Sequence, residues 1–338
     1  MKKKLLPIIR LLVAAAGIGY IVLAVQWTDA GEVDGILTNL KNANVKLLAV
    51  GFLLLAPVYP IQAARWWLLM RSRGMDVSLR RAFRLVMVGC FFNYCMPGTT
   101  GGDVIKAFYA AKGSDRRADA VMSVIFDRIT GLLGLVLLAG TAGLFMLDHP
   151  VARQVTIYIW LGALAIVVIS AMYFSKRLRS NSGLEKLLAK LPDGGLAATI
   201  DAAAVAYRDR KRAVLMAMFI SVPVHLLTSS SIALAGYALG IDSTQNSIGL
   251  MLTVIPVVSL AGAVPLTYQG LGVMEGIAGV LLAVQTLNPI VGMLMMTRLF
   301  QILYSLVGSL FLLHGDIELH PPMATDALDT EPVNRIGP

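Results

Sequence analysis

From Leu5 almost to the end of the chain, apolar residues come in long runs separated by short polar loops. Six runs, Leu5–Gln26, Val45–Met70, Val121–Leu147, Val155–Phe174, Ala213–Leu239 and Ile290–Leu313, reach the ~20 residues an α-helix needs to cross about 30 Å of hydrocarbon. Each therefore reads as a full membrane span. The first follows Lys2, Lys3 and Lys4 as a signal peptide would, but its apolar part is too long and no small-residue cleavage site comes after it, so it is expected to remain as a spanning helix.

Two further apolar regions depart from this pattern. Met96-Pro97-Gly98-Thr99-Thr100-Gly101-Gly102-Asp103 interrupts Leu85–Ala111, and Pro265-Leu266-Thr267-Tyr268-Gln269-Gly270-Leu271-Gly272 interrupts Ile248–Thr286. Proline with clustered glycine stops one helix and lets another start. Each half of the first region is about 11 residues, roughly 16 Å or half a bilayer. That length predicts a re-entrant hairpin, which enters and leaves on one side. For the second region two short full spans are the alternative.

Composition sharpens the class: 57% of the 338 residues are hydrophobic and 14% charged, against about 25% charged in a soluble domain. The net charge of +9 resembles a nucleic-acid signature until its placement is read. With the N-terminus inside, basic loops belong in the cytoplasm, which puts Arg71, Arg73, Arg80, Arg81 and Arg84 there. A single crossing by the first broken region would send Lys112, Arg116, Arg117 and the basic stretch Ser175–Arg212 outside. A hairpin keeps all of them inside and leaves Lys41, Lys46 and Arg153 outside. The charge is thus topological, and no nucleic-acid partner is expected.

The resulting fold class is an all-α polytopic membrane protein of about six full spans plus two re-entrant helical hairpins in an inverted repeat. Repeat one covers about residues 5–147 and repeat two about 155–313, within one membrane domain, 1–315. A short polar tail, 316–338, follows, and both termini are expected in the cytoplasm, at a bacterial-type inner membrane. Inverted repeats with broken helices are typical of transporters whose sites lie near the midplane. Leu184–Arg212 carries Leu196, Ile200, Ala203 and Tyr207 at helical spacing beside Arg208, Arg210, Lys211 and Arg212. It reads as an amphipathic elbow on the inner leaflet or as a connector.

Candidate chemistry gathers at the two breaks. In the first, Pro97, Gly98, Thr99, Thr100, Gly101 and Gly102 allow close approach, and the restarting helix with Asp103 and Lys106 offers unpaired N–H groups to an anion. In the second, Pro265, Gly270, Gly272 and Glu275 repeat the order of proline, small residues and carboxylate. Asp103 and Glu275 could bind a cationic headgroup, carry a proton, or satisfy helix ends. Each repeat's last span then holds an arginine, Arg128 after Asp127 and Arg298. Either grips phosphate or forms an internal ion pair, Arg128 with Asp127 or Asp103 and Arg298 with Glu275. Arg65, ahead of Trp66 and Trp67, reads as an interfacial anchor.

Enzyme signals are thin. His149, His225, His314 and His320 lack metal-ligand spacing, and no phosphate-binding loop or nucleophile elbow occurs. Neither a cofactor nor a metal is expected. Cys90 and Cys95 lie about 8 Å apart along one helix, too far for an unstrained disulfide.

Taken together, Phe92-Asn93-Tyr94-Cys95-Met96-Pro97-Gly98 with Gly101-Gly102-Asp103 and Lys106, Asp127-Arg128 with Gly131, and Pro265 with Gly270, Gly272 and Glu275 resemble the membrane domain of lysylphosphatidylglycerol synthases and the stand-alone flippase-like proteins of that family. After Pro265 the chain has Leu266-Thr267-Tyr268-Gln269 where the family often has small residues. The resemblance implies movement of a phospholipid, or a polyprenyl or terpenoid lipid, between leaflets along the hairpins. Two-domain members append an aminoacyl transferase, and Gly315–Pro338 is too short for one, so synthase activity is not expected. The leading expectation is a non-enzymatic lipid flippase. The alternatives are a membrane enzyme using Asp103 and Glu275 as acid and base, and a non-transporting partner of a lipid-modifying enzyme. Oligomeric state is left open.

Overall fold

The fold is described from a computed structural model, in which residues 23, 27–29, 35–95, 101–112, 116–174, 210–264 and 267–313 are described. Among them all regular structure is helical. A short helix α1 (Ile36–Lys41) precedes α2 (Val45–Leu55) and α3 (Val58–Ser72). Asn44 caps α2 by accepting the N–H groups of Lys46 and Leu47. Pro57 has no N–H to continue the ladder, yet Ala56 keeps helical angles, so α2 and α3 form one bent, 28-residue apolar rod. The later spans are α6 (Arg117–Leu144), α7 (Pro150–Phe174), α8 (Lys211–Ala238) and α11 (Asn288–Leu313).

Five helices are thus long and apolar enough to cross a membrane, Val45–Ser72, Arg117–Leu144, Pro150–Val168, Lys211–Ala238 and Asn288–Leu313. They fall where five of the expected spans lie. The expected span Leu5–Gln26 and the elbow Leu184–Arg212 lie almost wholly outside the described residues. On α7, Ile157, Tyr158, Leu161, Leu164 and Val167 are exposed, as a lipid-facing helix requires and a water-facing one would not tolerate.

Both interrupted regions fold as helix, break, helix. The first gives α4 (Leu79–Cys95) and α5 (Gly101–Ala111), and the second gives α9 (Ile248–Gly262), a single 3-10 turn Tyr268–Gly270 and α10 (Val273–Leu281). In each, the two arms pack against one another. Gly102 makes the first arm-to-arm contact possible, because a Cβ there would stand 1.9 Å from the Gly89 carbonyl oxygen. In the second break the backbone turns through left-handed angles at Gln269, Gly270 and Gly272 (φ 50°, 72° and 82°), a region that only glycine enters at no cost.

Each pair of arms has its own apolar core. Trp66, Met70, Val88, Ile105 and Val124 join α3, α4, α5 and α6, whereas Ile232, Met251, Ile255, Ala278 and Met293 join α8, α9, α10 and α11. The cores are stitched together reciprocally: α4 packs on α11, and α9 packs on α6. Helix α8 also lies against α2, α3 and α6. The two breaks are thereby brought to a common centre.

Candidate functional site

Helix α3 carries Arg65 inward, where it is 7% exposed. Its Nε donates to Asp127 Oδ1 of α6 at 2.7 Å and its guanidinium to Ser221 Oγ of α8 at 2.9 Å. Asp127 also accepts from Lys106 Nζ of α5 at 3.2 Å. Lys106 lies 3.9 Å from Asp103 one turn earlier, and Asp103 in turn pairs with Arg128. Charges of alternating sign thus run from Arg65 through Asp127, Lys106 and Asp103 to Arg128. The Lys106 ammonium also lies 4.6 Å over the Trp66 ring, a cation–π contact, and Trp66 is held by donating to Ser123 Oγ at 3.0 Å.

The second break holds a smaller arrangement. Glu275 is fully buried; one carboxylate oxygen accepts the Gly272 N–H at 2.8 Å and the other accepts from Arg298 at 2.6 Å. Arg298 also reaches the carbonyl oxygen of Gln269 at 3.5 Å. A carboxylate with both oxygens engaged can stay charged away from water.

Two adjoining cavities lie between these groups. The smaller, about 260 Å³, is lined by Arg65, Asp103, Lys106, Asp127 and Arg128. The larger, about 410 Å³, is lined by Arg298 with many uncharged polar side chains. Gln62, Cys90, Asn93, Leu135, His225 and Ala263 line both. At the boundary the breaks touch: Gln269 of the second donates through Nε2 to the carbonyl oxygen of Asn93, at the end of the first arm of α4, at 3.4 Å. Among the described residues, the ion-paired groups of the site comprise four cations, Arg65, Lys106, Arg128 and Arg298, against three carboxylates, Asp103, Asp127 and Glu275. One anionic group in the cavities would balance them.

A family model described as the lysylphosphatidylglycerol synthase TM region matches residues 8–308. The chain belongs to that family. Among this family member's relatives is a UPF0104 membrane protein of Pyrococcus horikoshii, 26% identical over 191 residues, which are 56% of this chain and 54% of the relative. Another is a UPF0104 membrane protein of Methanocaldococcus jannaschii, 29% identical over 98 residues, 28% of this chain and 29% of the relative. The chain therefore spans about half the length, or less, of these curated relatives.

Of the residues singled out in this family member's sequence, Asp103, Lys106, Asp127 and Arg128 meet around one cavity, and Arg298 lines the other with Glu275 behind it. Gly101 and Gly102 start α5, and Gly270 and Gly272 shape the second turn. Pro97, Gly98, Thr99, Thr100 and Pro265 lie outside the described residues. The ion-pair alternatives resolve in one way: Arg128 takes Asp103, and Asp127 goes to Arg65 and Lys106.

Arg65 requires a correction. Expected as an interfacial anchor, it is enclosed by protein, because Asp127 and Ser221 satisfy it from two other helices. Gln62, Asn93 and His225 were also missed. His225 faces Gly131, its Nε2 being 2.9 Å from that carbonyl oxygen. A usable signal existed for one pair: Gln62 and Arg65 stand one turn apart in an otherwise apolar span, where polar side chains mark function or a polar partner.

Proposed function

We propose that this protein moves a phosphate-bearing lipid between the leaflets of its membrane, the two broken regions acting as re-entrant hairpins of an inverted repeat whose tips form the passage. The observation that carries this reading is the contact of the two breaks at Gln269 and Asn93, each bringing a carboxylate–arginine pair to the adjoining cavities. The reciprocal packing of α4 on α11 and α9 on α6 is what two copies related by a two-fold axis would give. The excess of cations over carboxylates supports a phosphate as the transported anion, with Arg128 able to hold its oxygens in bidentate fashion and Arg298 facing the adjoining cavity. The family's character as the TM region of lysylphosphatidylglycerol synthase supports a lipid as the cargo.

Transport without bond-making is preferred over acid–base catalysis because Asp103 and Glu275 are each engaged by an arginine and are not set on either side of one reacting group. In this reading both termini face the cytoplasm.

The test is leaflet exchange of a tail-labelled phosphatidylglycerol in proteoliposomes, read with an impermeant quencher. Wild-type protein should expose inner-leaflet label, and Arg128→Gln should slow that exposure with little change in melting temperature, whereas Arg298→Gln should slow it and also lower the melting temperature, because it strands the buried Glu275. Wild-type rates in both variants would overturn the reading.

A further inference from the structure

The two cavities differ in chemistry, and that difference selects a class of lipid. Among the described residues, the smaller holds every charged lining residue except one. Among them the larger has Arg298 as its sole charged lining residue and no lining carboxylate, because Glu275 is wholly buried behind that arginine. Its uncharged polar walls include Gln62, Asn93, Thr228, Ser259, Thr297 and Gln301, beside tyrosine and serine hydroxyls and the His225 imidazole.

The hydrogen-bonding state of these groups is partly fixed. Thr228 donates its hydroxyl hydrogen to Val224 O and Thr297 to Met293 O, both at 2.8 Å. Toward the cavity their oxygens can therefore only accept. Asn93 has the opposite bias: its side-chain oxygen accepts the Gly102 N–H at 2.9 Å, so its amide NH₂ is the part left to donate. The wall thus offers acceptors and donors together. A hydroxyl group, which donates and accepts at once, matches both. A quaternary ammonium matches neither, and a primary ammonium would lie near Arg298 with no lining carboxylate to neutralise it.

Resting on the transport reading above, we infer that the cargo carries its phosphate in the smaller cavity and an uncharged, hydroxyl-rich headgroup, a polyol or sugar, in the larger. A cationic or aminoacylated headgroup is disfavoured by the same walls.

The experiment compares binding of dioctanoyl phosphatidylinositol, phosphatidylethanolamine and phosphatidylcholine to the detergent-purified full chain. Phosphatidylinositol should bind at least about tenfold more tightly than either of the others, a difference of about 1.4 kcal/mol. In Thr228→Val and Thr297→Val, which keep side-chain shape and remove the acceptors, the ratio of inositol-lipid to choline-lipid affinity should fall toward one. Equal binding of the three lipids, or tighter binding of phosphatidylethanolamine, would overturn this inference and leave the phosphate-lipid reading standing. Binding of none of them would overturn both. Since the wild-type comparison needs no variant, a valine protein that fails to fold does not rescue the idea.

Discussion

Around the first break, charge is plentiful and shared. Asp127 serves Arg65 and Lys106 at once, and Arg128, 40% exposed at its side chain, closes the chain of alternating charges through Asp103. Around the second, Glu275 is 0% and Arg298 13% exposed at the side chain, and they form a single tight pair whose carboxylate also ties down the turn at Gly272. Local sequence is alike in the two places, with small residues, a carboxylate and a later arginine. The surroundings are not. The comparison teaches that one motif can serve as an ion-binding end, where cations outnumber carboxylates, and as a hinge, where the buried carboxylate holds the backbone while its arginine faces the larger cavity. Which role applies is set by the cations that α3 and α5 add, or fail to add.

Removing Asp127 should break that comparison most severely. Asp127→Ala strands Arg65 and Lys106 inside the protein, and loss of one partner of a buried ion pair costs about 3–5 kcal/mol. Unfolding in detergent should show a loss of that order. A drop no larger than that of a surface substitution would mean that water already enters and screens the cluster.

Glu275→Gln probes the hinge more mildly. The amide oxygen can still accept the Gly272 N–H, and Arg298 opens toward a cavity, so about 2 kcal/mol is expected. Should this variant unfold more readily than Asp127→Ala, the ranking of the two regions would be reversed.

Thr267 lies between the second break's proline and its 3-10 turn, is 5% exposed, and finds no hydrogen-bond partner for Oγ1 among the described residues. An unpaired buried hydroxyl is a cost of about 1 kcal/mol or more, so Thr267→Val should raise the melting temperature. A lower one would show that the hydroxyl has a partner in the working protein.

Asp103→Asn should be the least destabilising, under about 1 kcal/mol, because the Arg128 it pairs with is substantially exposed. Lipid exchange in the same protein should nevertheless fall. That divergence between stability and transport is what separates the ion-binding end from the hinge, and parallel changes in both would erase the distinction.

Much of this arrangement could be read from the chain. Apolar runs located five spans of the described fold, since length and hydropathy alone decide a crossing. The two breaks were visible as proline with glycine, and Glu275 was a candidate partner for Arg298, but Arg128 stood between Asp127 and Asp103 until the packing gave it Asp103. Arg65 was not legible, because an arginine preceding two tryptophans looks the same whether it reaches for the interface or for a partner. Only the packing of α6, which brings Asp127 from 62 residues away, distinguishes the two. Gln62, one turn before Arg65, hinted that this face of the span seeks a polar partner, but neither it nor Asn93 and His225 could be assigned to a wall that exists only once α3, α4 and α8 meet. The sharing of Asp127 between two cations likewise depends on the first arms closing over Gly102.

The transport proposal rests on two hairpins that enter from opposite faces and meet, and labelling by an impermeant thiol reagent tests that most directly. In a background with Cys90 and Cys95 replaced, single cysteines are placed at Arg81 and Lys112, flanking the first broken region, and at Gln245 and Gln285, flanking the second. Applied to intact cells, the reagent should label positions 245 and 285 and spare 81 and 112 until the membrane is permeabilised. Labelling of 112 without 81, or of 245 without 285, would show that region crossing the membrane once and would contradict the two-hairpin account.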